Sequence, residues 1–142
     1  MASGLYGKTF LNSLNNSHAL DLDNDTIKIM LVTSSYSPDF GAHDFKDDVT
    51  NEVSGTGYTS GGNTLGSVTL TQTGGTIKFD AADTSWSSST ITAARGAVIY
   101  DDTVASDPLN AYIDFGSDFS SANGTFTIAF NAGGIFTIDL TP

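Results

Sequence analysis

The chain has 142 residues and no cysteine, and it carries five Lys plus Arg against sixteen Asp plus Glu, a formal net charge of −11. That length suits one domain with a real hydrophobic core, and the missing cysteines exclude disulfides and thiolate chemistry. An acidic surface repels phosphate backbones and so argues against a nucleic-acid partner, and no run of roughly twenty apolar residues exists to cross a membrane as a helix.

The first residues, Met1 to Lys8, lack the basic start, apolar stretch and cleavage site of a secretion signal. Ala2 stands where myristoylation needs glycine. Leu5 to Asn15 reads as a short helix, because Tyr6, Phe10, Leu11 and Leu14 fall within an arc of roughly 140° at 3.6 residues per turn. A stripe of this kind normally faces a core; the alternative is an exposed arm that docks on a partner. Residues 1–20 are read as this helical arm and 21–142 as a β domain, together forming a single domain over 1–142.

Thr26 to Thr33 is a strand that alternates at first and ends apolar on both sides, which places its far end centrally in a sheet. Ser34 to Pro38 is a turn. Ala42 to Val49 reads as a short helix with Asp44, Asp47 and Asp48 on its wet side. Glu52 to Gly66 is a glycine-rich loop between elements. Two runs then flank Gly74-Gly75, a hairpin signal. A two-residue loop sets Leu70 opposite Phe79, Val68 opposite Ala81 and Thr71 opposite Lys78, which sorts the two faces correctly. Thr90 to Asp101 and Leu109 to Phe115 read as strands joined by a turn at Asp107-Pro108. Gly124 to Phe130 and Phe136 to Leu140 read as a second hairpin, pairing Phe130 with Phe136, Ile128 with Ile138 and Phe126 with Leu140. The fold class is therefore all-β: an antiparallel β-sandwich or jelly-roll-like barrel with a short N-terminal helix.

Chemistry is sparse. His18 and His43 lack neighbours for a zinc site, and His43-Asp44 are adjacent in one segment, where side chains seldom point together. Gly57-Tyr-Thr-Ser60-Gly61 has the wrong spacing for a nucleophile elbow, and Gly55 to Gly62 lacks the Lys-Ser/Thr ending of a phosphate loop. Asp21-Leu-Asp23-Asn-Asp25 opens with calcium-loop spacing. Thr26 then replaces the turn glycine and Val32 the bidentate Glu, so the segment reads as an acidic turn, with a weak calcium site as the alternative. The pairs Asp47-Asp48 and Asp101-Asp102 read as turns. No catalytic residue, cofactor or metal follows from these patterns.

The segments Ile27-Lys-Ile-Met-Leu-Val-Thr-Ser-Ser-Tyr-Ser-Pro-Asp39, Asp48-Val-Thr-Asn-Glu-Val-Ser-Gly-Thr-Gly-Tyr-Thr-Ser-Gly-Gly62 and Leu109-Asn-Ala-Tyr-Ile-Asp-Phe-Gly116 carry a resemblance. With Asn123-Gly-Thr-Phe-Thr-Ile128 and Gly134-Ile-Phe-Thr-Ile138, they make the chain resemble, over nearly its whole length, a family of small tailed-bacteriophage virion structural proteins. The resemblance implies a non-catalytic particle component, a capsid decoration (cement) protein or a tail- or fibre-associated one. It would assemble in the bacterial host cytoplasm and sit on the virion, with the capsid surface favoured. Its expected partners are the major capsid protein or other virion proteins and further copies of itself in a homo-oligomer such as a trimer, with no nucleic acid and no membrane. Tyr6, Phe10 and Tyr58 are the expected docking residues. A rival of another class is a carbohydrate-binding β-sandwich module stacking sugars on an exposed Trp86 or Tyr58.

Overall fold

A computed structural model describes residues 2–142 and shows two antiparallel sheets. Strands hold 46% of the chain and helix 8%, and neither sheet closes into a barrel, which makes the fold an open sandwich. The elements run β1 (Gly4–Leu5), α1 (Gly7–Leu14), β2 (Ile27–Val32), β3 (Asn63–Thr64), β4 (Thr69–Thr73), β5 (Thr76–Asp80), β6 (Thr84–Asp101), β7 (Leu109–Ile128) and β8 (Phe136–Asp139). The larger sheet has the order β1-β7-β6-β2-β3 and the smaller β4-β5-β8.

β2 is central, as its apolar far end requires. It pairs with β6 from Ile27↔Asp101 to Val32↔Gly96 and with β3 on its other side. One face of this region (Ile27, Ile29, Leu31, Ala97, Ile99) packs into the sandwich core with Phe79, Trp86 and Ile91. The opposite face (Met30, Val32, Val98, Tyr100, Tyr112) is covered by Tyr6 and Tyr36, with Phe40 and Val49 against them. Burial on both faces is what a run of consecutive apolar residues in a strand demands.

The Gly74-Gly75 hairpin forms in the expected register, with Leu70↔Phe79 and Thr71↔Lys78. The second expected hairpin does not form. β8 leaves β7 and pairs with β5, through Ile77↔Ile138 and Phe79↔Phe136. Phe126 and Ile128 pair instead with Trp86 and Thr84 of β6. Residues that share one face of a hairpin are also the ones that confront each other across a sandwich, so alternation fits both arrangements. The connection after β7 settles which is adopted. Gly134 (φ +101°) lies against Lys78 and the Phe79 carbonyl, where a Cβ would clash. The Ile135 N–H then donates to that same Phe79 carbonyl at 2.8 Å, and Phe136 stacks on Phe79 with ring centroids 5.1 Å apart.

The two strands expected at 90–101 and 109–115 are longer than predicted and make one continuous ladder, β6 with β7. Its register slips five times, and three of the slips lie between Trp86 and Ser89, between Ile91 and Ala94, and between Ser89 and Ile91. These three fall at Ser88 (φ 49°), Ala93 (φ 55°) and, on β7, Asn123 (φ 48°). A residue in the left-handed region is how an extra position is absorbed in a bulge. The helix expected at 42–49 shrinks to a 3-10 turn at Lys46–Asp48. There the Asp48 carboxylate accepts the Asp44 N–H at 2.9 Å and curls the chain back.

The N-terminal helix exists, but its apolar stripe does not face the core. Tyr6 precedes α1 and is fully buried, Thr9 is the buried helical residue, and Leu11 and Leu14 are 60% and 89% exposed. Pairing of β1 with β7 at Gly4↔Tyr112 and the Thr9 hydroxyl's bond to the Asp44 carbonyl fix the roll of the helix. That roll turns Leu11 and Leu14 outward.

Candidate binding cleft

His43, His18 and Ser60 are all engaged in structural contacts. The Tyr6 hydroxyl meets that of Tyr36 at 2.8 Å, and Tyr36 in turn meets His43 Nδ1 at 3.1 Å. The Asp39 N–H also donates to Nδ1, at 3.3 Å. Burial pushes the Tyr6 phenol far above its ordinary range, so the chain of hydroxyls stays neutral. His18 packs edge-on against Phe45. Ser60 donates to Glu52, whose carboxylate also accepts from the Tyr58 hydroxyl at 2.7 Å and the Gly61 N–H at 2.6 Å. This one carboxylate orders the glycine-rich loop. In the acidic turn, Asn24 donates to Asp21, and the Asp25 carboxylate accepts the Asp21 N–H. No group of three or more His, Asp or Glu gathers as a metal site among the described residues.

All five basic side chains are paired with carboxylates, Lys8 with Asp44, Lys28 with Asp102, Lys46 with Asp107, Lys78 with Asp80, and Arg95 with Asp114 and Asp118. Exposed pairs of this kind add little stability. They do leave the surplus of acids to set the surface potential.

Among the described residues Asp101 is the one fully buried carboxyl. One oxygen accepts the Thr103 and Val104 N–H groups at 2.9 and 3.2 Å, and the Asp25 carboxyl lies within hydrogen-bonding reach of the same side chain. Burial, reinforced by the neighbouring Asp25 carboxyl, raises its pKa from 3.8 to about 6. A carboxyl raised in the folded state contributes fully below its unfolded pKa, and that contribution is lost as pH rises through the folded value. The protein is therefore expected to lose about 2–3 kcal/mol between pH 4 and pH 7 at this site. Asp101→Asn keeps the acceptor for the two N–H groups and should flatten the decline. Thermal melts of both proteins across that range measure it, and parallel declines would exclude Asp101 as the source.

An open cleft of about 740 Å³ lies at the edge of the sandwich where β7 and β8 border it. Leu5 of β1, Phe115, Phe119, Phe126 and Ile128 of β7, and Phe130, Ile135 and Phe136 beyond it supply its apolar lining, and no charged residue contributes. An aromatic chain runs outward from the core into this cleft. Tyr58 tilts over Trp86 (5.7 Å), Trp86 meets Phe126 (6.1 Å), Phe126 meets Phe115 (6.3 Å), and Phe115 meets Phe119 (6.2 Å), which is 50% exposed. Both strands at the mouth lie at sheet edges: β8 pairs only with β5, and β7 pairs on its outer side only with β1, at Ala111 and Tyr112.

Of the three residues expected to dock a partner, Tyr6 is enclosed and bonded to Tyr36. Tyr58 is held by Glu52 and the Leu31 N–H and lies over Trp86. Phe10 is half-buried and meets Phe136 edge-on at 6.1 Å, beside the cleft. Trp86, the expected sugar platform, is 3% exposed and lies beneath Tyr58 and Phe126, so it offers no face for stacking. The sequence reading missed this surface because it paired Phe130 with Phe136 and Phe126 with Leu140 in a hairpin and gave Phe119 no place. The available signal was charge: residues 119–138 contain no Asp, Glu, Lys or Arg in a chain of net charge −11. Comparisons with protein-family models, curated proteins and solved structures find no match to this chain.

Proposed function

We propose that this chain is an assembly protein of a tailed-bacteriophage particle, a capsid decoration (cement) protein that binds the assembled head. The observation that carries the assembly reading is the cleft, an uncharged, phenylalanine-lined surface between two free sheet edges, on a molecule whose other charged groups make it strongly acidic. Exposed apolar surface of this kind marks a binding site, and protein contact is one of its common uses. The phage assignment rests on the resemblance of the five sequence segments. Binding the assembled shell and not its separated subunits stabilises the shell by mass action. The contact surface in this reading is the cleft together with Phe10 and the exposed Leu11 and Leu14, in place of Tyr6 and Tyr58.

Quantitative mass spectrometry of purified particles tests the reading by comparing copies of this chain with copies of the major capsid protein. Copy numbers of the same order, with label on the head by imaging, are the expected result. A few copies per particle would move the protein to the tail or a fibre base, and absence from particles would overturn the proposal.

A further inference from the structure

We infer that Asn123 is a site of self-modification, where the backbone nitrogen of Gly124 closes on the side-chain amide and converts it, through a succinimide, to aspartate and isoaspartate. The inference concerns the chain's own covalent chemistry and does not depend on the particle reading.

Sequence and geometry meet at this residue. Asn123-Gly124 is the one asparagine–glycine step in the chain. Glycine has no side chain to hinder attack by its own nitrogen or to limit the backbone rotation that attack requires. Asn123 is exposed, with φ 48°, and its amide makes no hydrogen bond among the described residues. Other asparagines are tied down. Asn24 and Asn63 donate to neighbours, Asn15 and Asn131 accept backbone N–H groups, and Asn110 is fully buried.

The strand is also loosely held at this point. Two β7 residues, Ala122 and Asn123, oppose Thr90 alone between the pairs Ile91↔Ser121 and Ser89↔Gly124. Around this slip, bonds between β6 and β7 run through hydroxyls. The Ala93 N–H donates to Ser120 Oγ at 2.9 Å, the Ile91 N–H to Ser121 Oγ at 3.1 Å, and the Asn123 N–H to Thr90 Oγ1 at 3.1 Å. Ser89 Oγ in turn donates to the Gly124 carbonyl at 3.2 Å. A hydroxyl rotates and keeps its bond while the backbone shifts, so the bulge lets Asn123 turn where a regular ladder would hold it.

The reaction needs no partner but water. The Gly124 nitrogen bonds to Asn123 Cγ, the Cγ–Nδ2 bond breaks, and solvent carries the Gly124 N–H proton to the departing nitrogen, which leaves as ammonia. Closure forms a five-membered ring within one chain, so proximity replaces a bimolecular encounter. Water then opens the ring. Opening at the side-chain carbonyl gives aspartate, and opening at the backbone carbonyl gives isoaspartate, with one extra atom in the main chain. Either product places a carboxylate, ionised at neutral pH, among residues 119–138, which otherwise hold no charge. It stands between Ser120 and Thr125 of the cleft lining in sequence. The bulge already absorbs a surplus residue, so it takes up the extra atom and the fold persists.

Mass spectrometry of the intact chain, aged at neutral and mildly alkaline pH and then digested after aromatic residues, tests this. The peptide from Ser120 to Phe126 should gain the mass of deamidation, faster at higher pH, and isoaspartate should appear by enzymatic methylation. Asn16 is the comparison within the same sample, being exposed, at φ 64°, and followed by Ser17 in place of glycine. Asn123 should outpace it by at least roughly tenfold. Gly124→Ala should slow conversion by a similar factor, and its added Cβ meets nothing closer than the Ala122 carbonyl at 3.7 Å. Circular dichroism should show both this variant and the aged chain folded. Ageing in concentrated urea separates the fold from the sequence, and comparable rates in the two states are expected. A folded rate more than roughly tenfold below the unfolded one would mean that the ladder holds Gly124 in place, and would overturn the inference. So would an Asn123 that outlasts Asn16, an aged chain that unfolds, or a Gly124→Ala chain that converts at the original rate.

Discussion

Trp86→Ala is expected to destabilise the protein by about 3–5 kcal/mol, the range for deleting a large aromatic from a core. Trp86 is 3% exposed and touches Tyr58 on one side and Phe126 on the other. It thus ties the glycine-rich loop to the larger sheet. Removing it takes away apolar contact and leaves a cavity that neither neighbour can fill without moving a strand. At this chain length the loss corresponds to a fall in Tm of roughly 8–20 °C. Far-UV circular dichroism during urea or thermal unfolding measures it, since the substitution removes the only tryptophan. Trp86→Phe should cost much less. It keeps most of the ring volume and removes an indole N–H that is buried without a hydrogen-bond acceptor. Equal losses in the two variants would show that ring volume is not what Trp86 supplies. A loss below about 1 kcal/mol for alanine would show that the sandwich is not packed on this residue.

Gly62→Ala should be as damaging, by a different route. Gly62 has φ +75°, and a Cβ there would overlap the backbone carbonyl of Ile29 in central strand β2. The left-handed conformation alone costs an L-residue roughly 1–2 kcal/mol, and the overlap forces the loop away from β2 as well. Departure of the loop would also uncouple Gly61, whose carbonyl accepts the Tyr100 hydroxyl at 2.6 Å, and whose N–H meets Glu52. A total loss above about 3 kcal/mol, or failure to fold, is expected. Gly66→Ala is the control within the same segment, because nothing lies within 4 Å of its added methyl and its φ is not in the left-handed region. It should be neutral or stabilising by about 0.4–1 kcal/mol. Thermal melts of the pair decide the matter, and similar Tm values would mean that the loop does not lie on β2.

Strand positions were legible in the sequence wherever alternation or apolar runs coincided with turn residues. β2 and the β4–β5 hairpin are the clearest cases, because Gly74-Gly75 fixes register as well as position. The partner of β8 was not legible. Phe126, Ile128, Phe136 and Ile138 keep the same inward faces in a hairpin and in a sandwich, and only the path of Asn131 to Ile135 separates the two. The continuity of β6 and β7 was hidden by Ser, Gly and Asn residues that look like turns. In the fold several of them sit in bulges, Ser88 and Asn123 among them. The cleft was missed for the same reason as the β8 pairing. The outward roll of α1 depends on β1 and Asp44, distant contacts that a helical stripe does not encode.

The crossing from β7 to β8 also sets an order of events in time. The β4–β5 hairpin closes locally through two glycines, but its third strand lies beyond the entire β6–β7 ladder in sequence. Pairings between distant segments close slowly, since a long loop must be ordered before any contact rewards it. A chain that has formed everything through β7 still presents β5 with one edge bare, beside the uncharged strand 119–128. During that interval the molecule is most exposed to pairing with the wrong neighbour. The docking of Phe136 on Phe79 ends it.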